Sequence, residues 1–121
     1  MNDRYLFKAI DTNSVWRTGL LIALKGNRCA IEESDGSKWA CDAKTLCQCT
    51  GLKDKNGKLI WENDIVKINN SKVNTVITFR DFEIICTIPN EKYYKHRLEY
   101  DTEYEVIGNI FDNPELLESE E

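Results

Sequence analysis

The stretch CTGLKDKNGKLIWENDIVKI, residues 49–68, decides the fold of this chain. Its DKNG segment places Asn56 and Gly57 where a tight hairpin turn needs positive φ angles, and apolar alternation resumes after it. Asn63 and Asp64 then tolerate left-handed angles and bond nearby backbone, and IVKI begins another strand. The stretch therefore predicts a hairpin followed by a corner, explained by backbone geometry before any ligand is invoked.

The rest of the chain repeats this pattern. Short runs rich in β-branched and aromatic residues are separated by Gly, Asn and Asp at intervals of about ten residues, which is typical of a small all-β barrel or sandwich. Gly19 and Gly108 are expected at bulges or close backbone approaches, and Asn113-Pro114 predicts a short helical turn near the C-terminus. The predicted strands outside the opening stretch are RYLFKAI, VWRTGLLIAL, RCAIEE, KWACDA, VNTVITF, FEIICTI and YEVIGNIF.

Length and charge narrow the class of protein. At 121 residues the chain suits one domain. Sixteen Lys and Arg against 21 Asp and Glu give a net charge of −5, so a generic attraction to nucleic acid is not expected. The longest apolar run, LLIAL at residues 20–24, fits a buried strand, and the N-terminus has no apolar core of signal-peptide length. We therefore expect a cytoplasmic protein with no membrane contact.

Three stretches together resemble a known family. QCTGLKDKNGKLIWENDIVKI is followed by YEVIGNIFDNPELLE and preceded by YLFKAIDTNSVWRTGLLI, in the order, spacing and residue types of the YopX-like proteins of phages and prophages. The chain departs from the usual pattern at Cys49, where an aromatic residue is common, and at Asn63, where Gly is common. Asn is a mild change because it also accepts left-handed backbone angles.

The resemblance implies an architecture and an origin, but no activity. It implies one YopX-like β-rich domain over residues 1–121, a small barrel with an SH3-like C-terminal part. Its expected sub-parts are N-terminal hairpins (1–48), SH3-like barrel strands (49–113) and an acidic tail (114–121). It also implies a mobile-element origin, and no catalytic or binding residue can be carried over from it.

The cysteines and the single histidine are the candidates for metal binding or catalysis. The five cysteines, an odd number, are interpreted as reduced thiols. Cys47 and Cys49 would share one face of a strand, and other thiols or His96 could complete a zinc site, but without a CxxC pair the thiols are better read as buried apolar groups. No nucleophile motif accompanies His96, so we predict no catalytic residue, no metal and no cofactor.

The segment EKYYKHRLEY offers a possible binding surface. Its cations alternate with aromatic rings, as in surfaces on which single-stranded nucleic acid stacks. Acidic neighbours on both sides weigh against this reading, and a solvated hairpin face is the alternative. The candidate binding residues are Lys92, Tyr93, Tyr94, Lys95, His96 and Arg97.

The next segment, LEYDTEYEV, suggests an acidic face. In a strand its four carboxylates would line one side at intervals of roughly 6.6 Å. Such a row is usually the solvated side of an edge strand, but it could also imitate a nucleic-acid backbone and occupy a basic partner. The residues of this face are Glu99, Asp101, Glu103 and Glu105.

The sequence therefore favours a non-enzymatic interaction module that acts on a host or phage protein in the host cytoplasm. Two alternatives remain open: a weak nucleic-acid-binding module that uses the SH3-like half, and an acidic inhibitor that mimics nucleic acid. The oligomeric state is left open, because exposed sheet edges permit self-association without requiring it.

Overall fold

The computed structural model describes residues 3–80, 82–89, 91 and 94–118. These residues form two antiparallel sheets, of six and five strands, with short 3-10 helical turns and no α-helix. The strands are β1 Phe7–Ile10, β2 Trp16–Lys25, β3 Arg28–Glu32, β4 Lys38–Asp42, β5 Cys47–Lys53, β6 Leu59–Trp61, β7 Asp64–Ile68, β8 Thr75–Arg80, β9 Glu83–Thr87, β10 His96–Arg97 and β11 Tyr104–Asn109. The all-β prediction is confirmed.

Most sequence expectations on secondary structure are also confirmed. Every predicted strand region contains a strand, although β1 is preceded by a 3-10 turn, Asp3–Tyr5. The expected helical turn near the C-terminus is the 3-10 turn Pro114–Leu117. The two-residue β10 was not predicted. No helix in the described part of the chain is long and apolar enough to cross a membrane.

The expected barrel is not observed. The six-stranded sheet has the order β4-β3-β2-β1-β5-β6 and the five-stranded sheet the order β10-β9-β8-β7-β11, and neither closes on itself within the described residues. A bridge between Asp11 and Cys41 links the end of β1 to β4. In the five-stranded sheet, where the SH3-like part was expected, the edge strands β10 and β11 are not paired with each other among the described residues, so the sheet stays open.

The chain divides into two compact units, Met1–Gly51 and Leu52–Glu121. The division falls inside β5, as does the boundary after residue 48 that the sequence suggested. The core of the N-terminal unit consists of the buried residues Ala9, Cys29, Ile31 and Cys41. The core of the C-terminal unit consists of the buried residues Ile60, Val66, Ile77, Cys86 and Tyr104.

A buried carboxylate organises the hairpin between β5 and β6. Asp54 is 7% exposed, and its Oδ1 accepts the N–H groups of Asn56 and Lys58 at 2.9 Å each. Its Oδ2 accepts the N–H of Val106 on β11 at 3.0 Å. The N–H of Lys55 donates to the carbonyl of Tyr104 at 2.8 Å. β11 pairs with β7 along one of its edges. The hairpin turn therefore provides hydrogen-bond partners for backbone groups along the other edge of β11.

The corner after β6 is built by the two residues that the sequence singled out. Asn63 has φ 71°, the left-handed conformation that Asn tolerates better than most residues. Its N–H donates to the carbonyl of Ile77, and its own carbonyl accepts the N–H of Ile110. Asp64 is buried, and its Oδ2 accepts the N–H of Trp61 at 2.8 Å. The interpretation of residues 49–68 as a hairpin and a corner is confirmed, but the positive φ expected at Asn56 is not observed: in the DKNG turn only Gly57 has one, at 81°.

Both flagged glycines lie at close backbone approaches. A Cβ atom on Gly19 would lie 2.0 Å from the carbonyl oxygen of Glu32, and one on Gly108 would lie 2.5 Å from Oδ1 of Asn113. The ladder between β7 and β11 also shifts register between Val106 and Gly108. A side chain at either glycine would therefore push neighbouring strands or turns apart.

Replacing Asp54 by Ala should destabilise the protein strongly. The change leaves three backbone N–H groups without their carboxylate acceptor, so we expect the free energy of unfolding to fall by about 3 kcal/mol. Chemical denaturation monitored by tryptophan fluorescence measures this loss. Lys53→Ala, on the exposed last residue of β5, is the control and should change stability by less than about 0.5 kcal/mol. Equal effects of the two substitutions would contradict the assigned role of Asp54.

Stability should also depend on the ionisation of Asp54. Burial alone would raise the pKa of this carboxyl, but the N–H donors of Val106, Lys58 and Asn56 outweigh it and hold the pKa below its usual value. The carboxylate therefore stabilises the fold fully above its unfolded pKa of about 4, and this contribution is lost as the pH falls through the folded pKa. When the pH is lowered from neutral to acidic, we expect the free energy of unfolding to fall less in Asp54→Asn than in the wild-type protein.

Candidate interaction surface

The start of β9 and the end of β10 lie at the same end of the five-stranded sheet. The two strands are antiparallel, with His96 opposite Cys86 and Arg97 opposite Ile85. The N–H of Leu98 donates to the carbonyl of Ile84, which extends the pairing toward the start of β9. Phe82 precedes β9 and Tyr100 follows this extended segment. We call this end, defined by Phe82, Glu83, Lys95, Arg97 and Tyr100, the β9–β10 end.

Two aromatic rings stand in solvent at the β9–β10 end. Phe82 is fully exposed, and Tyr100 is 91% exposed. Phe82 also has φ 67° in the turn between β8 and β9, a left-handed conformation that is unfavourable for a bulky side chain. The phenylalanine therefore occupies a strained turn position without gaining any burial within the described chain.

Glu83, the residue that follows Phe82, holds two cations. Its carboxylate contacts Lys95 Nζ at 2.9 Å and accepts a hydrogen bond from the guanidinium of Arg97. The side chains of Lys95 and Arg97 are 53% and 69% exposed. Hydrogen bonds from Lys95 and then Arg97 lower the pKa of Glu83, so this carboxylate remains charged at neutral pH. The β9–β10 end thus combines exposed aromatic rings with an ionic cluster of two cations and one carboxylate.

His96 has a structural environment that differs from that of its neighbours. Its Nε2 lies 3.2 Å from the hydroxyl of Tyr104, whose side chain is buried in the C-terminal core. The same hydroxyl accepts the N–H of Glu99 at 2.9 Å. Burial raises the pKa of Tyr104, which therefore stays protonated at neutral pH. His96 and Tyr104 fix the segment after β10 against the core.

The predicted binding residues separate into three groups. Lys95 and Arg97 meet at Glu83, while His96 turns to Tyr104. Tyr94 is 38% exposed just before β10. Lys92 and Tyr93 lie outside the described residues. His96 therefore does not share one cationic stacking surface with Lys95 and Arg97, and Glu83 offsets one of the two positive charges of that pair.

The predicted acidic face is wrong as a strand feature. Glu99, Asp101 and Glu103 belong to an irregular segment with a turn, since β11 begins only at Tyr104. Glu105 is on β11, and its carboxylate lies 3.7 Å from Lys55 Nζ. The alternation of charged and apolar residues looked like a strand, but the hydrogen bond from the N–H of Glu99 to Tyr104 holds the chain in a turn.

The cysteines are buried thiols. All five are free and buried, and Cys47 and Cys49 alternate on β5 as expected for one face. Burial raises the pKa of both Cys41 and Cys86 to about 11, so neither is a thiolate at neutral pH. No group of three or more His, Cys, Asp or Glu side chains that could hold a metal ion is found among the described residues.

The N-terminal unit contains a dense polar network around Arg17. Its Nε donates to Oδ2 of Asp11 at 2.8 Å, and its guanidinium stacks 3.4 Å above the Trp39 ring. Asp11 Oδ1 also accepts the N–H groups of Asn13 and Val15. A cleft of about 430 Å³ borders this network beside Cys41. Because the Asp11 carboxylate is occupied by these bonds, we assign the network to folding of the β1–β2 hairpin.

Sequence reasoning missed the most exposed residues of the site. The sequence predicts Phe82 as the first residue of a strand. It predicts Tyr100 as one of the residues that alternate with the carboxylates of the acidic face. A phenylalanine next to a turn does not reveal from sequence alone whether it faces the core. The signal that could have helped is the Asp81-Phe82 pair between two β-rich runs, because such a junction requires a turn.

Removing the Tyr104 hydroxyl should loosen the segment after β10. Tyr104→Phe deprives the N–H of Glu99 and the ring of His96 of their partner, so we expect unfolding free energy to fall by about 1 kcal/mol. Tyr100→Phe is the matched control: its side chain is exposed, and stability should not change. Thermal or chemical denaturation compares the two variants. A larger loss for Tyr100→Phe than for Tyr104→Phe would refute this assignment.

Comparison with known families extends over nearly the whole chain. The family model described as YopX protein matches residues 8–118, which include both compact units and the β9–β10 end. No curated protein matches the chain.

Proposed function

The chain belongs to the YopX family, and we propose that it is a non-enzymatic interaction module of phage or prophage origin. In this proposal it acts on a host or phage protein in the host cytoplasm, through the β9–β10 end. The observation that carries the proposal is Phe82, a fully exposed phenylalanine at positive φ. An exposed aromatic ring in a strained turn has a cost in the isolated chain, and binding would offset it.

The surroundings of Phe82 have the composition of a protein-binding hot spot. Tyr and Arg are enriched among residues that dominate binding energy, and Tyr100 and Arg97 lie at the same end of the sheet. Glu83 holds the heads of Lys95 and Arg97 in place before binding. This preorganisation reduces the side-chain entropy that a partner would have to remove.

Nucleic-acid binding is the second candidate because the same rings and cations could stack on bases. One feature weakens this candidate: the carboxylate of Glu83 offsets one of the two positive charges of Lys95 and Arg97. The chain's net charge of −5 also opposes attraction to phosphates. The mimicry of nucleic acid by an acidic face has less support, because its four carboxylates do not form a row along one strand.

The groups considered for catalysis are engaged in folding. His96 contacts a buried tyrosine hydroxyl, and the thiols of Cys41 and Cys86 have raised pKa values. These observations favour a binding role over nucleophilic chemistry. We also propose, from the family resemblance, that the C-terminal unit is SH3-like; its five-stranded antiparallel sheet is compatible with this.

The proposal is tested by affinity capture from host lysate with the tagged full chain, with and without nuclease and at two salt concentrations. We expect a discrete protein that survives nuclease and moderate salt. The double variant Phe82→Ser, Tyr100→Ser should reduce its recovery at least about tenfold, as removal of two hot-spot side chains predicts. Val73→Ser changes a half-exposed apolar residue elsewhere in the same unit and should bind normally.

Two results would contradict this proposal. If nuclease removes all captured material and binding falls steeply with salt, the nucleic-acid candidate replaces it. In that case Glu83→Gln should strengthen binding, because it releases two cations. If a captured protein is retained equally by the double variant and wild type, the β9–β10 end is not the binding surface.

A further inference from the structure

Strand β2 is longer than the stretch over which it pairs with either neighbouring strand. Its residues Trp16–Gly19 pair with β1, and its residues Leu20–Lys25 pair with β3. β1 begins at Phe7, opposite Gly19, and the Asp3–Tyr5 segment before it is a 3-10 turn. Among the described residues, the second half of β2 therefore has a ladder partner on one side and an open edge on the other.

The open edge is apolar and exposed. Leu20, Ile22 and Leu24 are 46%, 43% and 58% exposed, the reverse of what the sequence predicted for the run LLIAL. Natural proteins protect exposed edges with charges, prolines or bulges. The ladder with β3, on the paired side of β2, has a bulge between Leu21 and Ala23, and the open edge has no charge or proline before Lys25. It is therefore a template for another β-strand.

We propose that this edge pairs with the same edge of a second copy, antiparallel and about a two-fold axis. An isologous contact of this kind uses one surface twice and closes at a dimer. The proposal goes beyond the proposed function, since it concerns other residues in the other unit of the chain.

Charge complementarity favours a second copy as the occupant. The turn after β2 is basic, with exposed Lys25 and Arg28. At the other end of the edge, a cleft of about 530 Å³ is lined by Leu20, Glu32 and Glu33 among others. The side chains of Glu32 and Glu33 are 32% and 28% exposed and contact Lys38 and Arg17 at 3.9 and 3.6 Å.

Antiparallel pairing of two copies places the basic end of each edge next to the acidic end of the other. The basic turn of each copy then lies beside the acidic cleft of the other, so the attraction occurs twice in one dimer. Parallel pairing would place basic turn on basic turn and acidic cleft on acidic cleft. The distribution of charge along the edge therefore selects both the partner and its orientation.

The test uses the full chain and measures molar mass by light scattering across a micromolar concentration series. We expect a reversible dimer. Ile22→Lys, which places a charge on an exposed side chain of the edge, should abolish it while leaving the circular dichroism spectrum unchanged. Val73→Lys, at a half-exposed valine of the other unit, is the matched control and should leave the dimer intact.

A charge-reversal cycle tests the orientation. Lys25→Glu and Glu32→Lys should each weaken dimerisation about tenfold, and the double variant, which restores opposite charges at both ends, should recover it. A chain that is monomeric at every concentration would overturn the proposal. So would a dimer that tolerates Ile22→Lys, or a double variant weaker than both single variants. Partner capture through Phe82 should be unaffected by Ile22→Lys, which separates this inference from the proposed function.

Discussion

The carboxylate of Asp54 is the contact on which the C-terminal unit depends. It accepts two N–H groups of its own turn and one from β11, and so connects the β5–β6 hairpin to a strand more than fifty residues later. Without this carboxylate, the N–H of Val106 on β11 would lack its hydrogen-bond acceptor. The adjacent corner at Asn63 and Asp64 then directs the chain into β7. The stretch that identifies the family is thus explained by architecture.

This architecture leaves apolar side chains exposed at one end of the five-stranded sheet and along one strand edge of the six-stranded sheet. His96 and Tyr104 fix β10 to the core, and Glu83 fixes the cations beside it, so the rigid part of the unit presents Phe82 and Tyr100 to solvent. In the N-terminal unit, the short β1 leaves the second half of β2 without a ladder partner on one side among the residues that the structure describes. One unit therefore exposes aromatic rings, and the other exposes apolar side chains along a strand edge.

The hairpin, the corner and most strands were predictable because local backbone chemistry dictates them: Asn63 and Gly57 have the positive φ angles that their residue types favour. The acidic face was not, because the alternation in LEYDTEYEV fits a strand as well as a turn, and it does not show that the Glu99 N–H bonds the hydroxyl of Tyr104, five residues later. The exposure of Leu20, Ile22 and Leu24 was equally invisible, since it depends on where the ladder of β1 ends. Both depend on tertiary structure: the first on the packing of Tyr104 in the core, the second on the end of the β1 ladder.

The most direct test of this account is native-state hydrogen exchange at the amide of Val106. If the Asp54 carboxylate is the contact that joins the hairpin to β11, this amide should exchange only through global unfolding, with the same free energy as the core strands. In Asp54→Asn its protection should fall together with that of Asn56 and Lys58. A Val106 amide that exchanges rapidly in the wild-type protein would contradict the account.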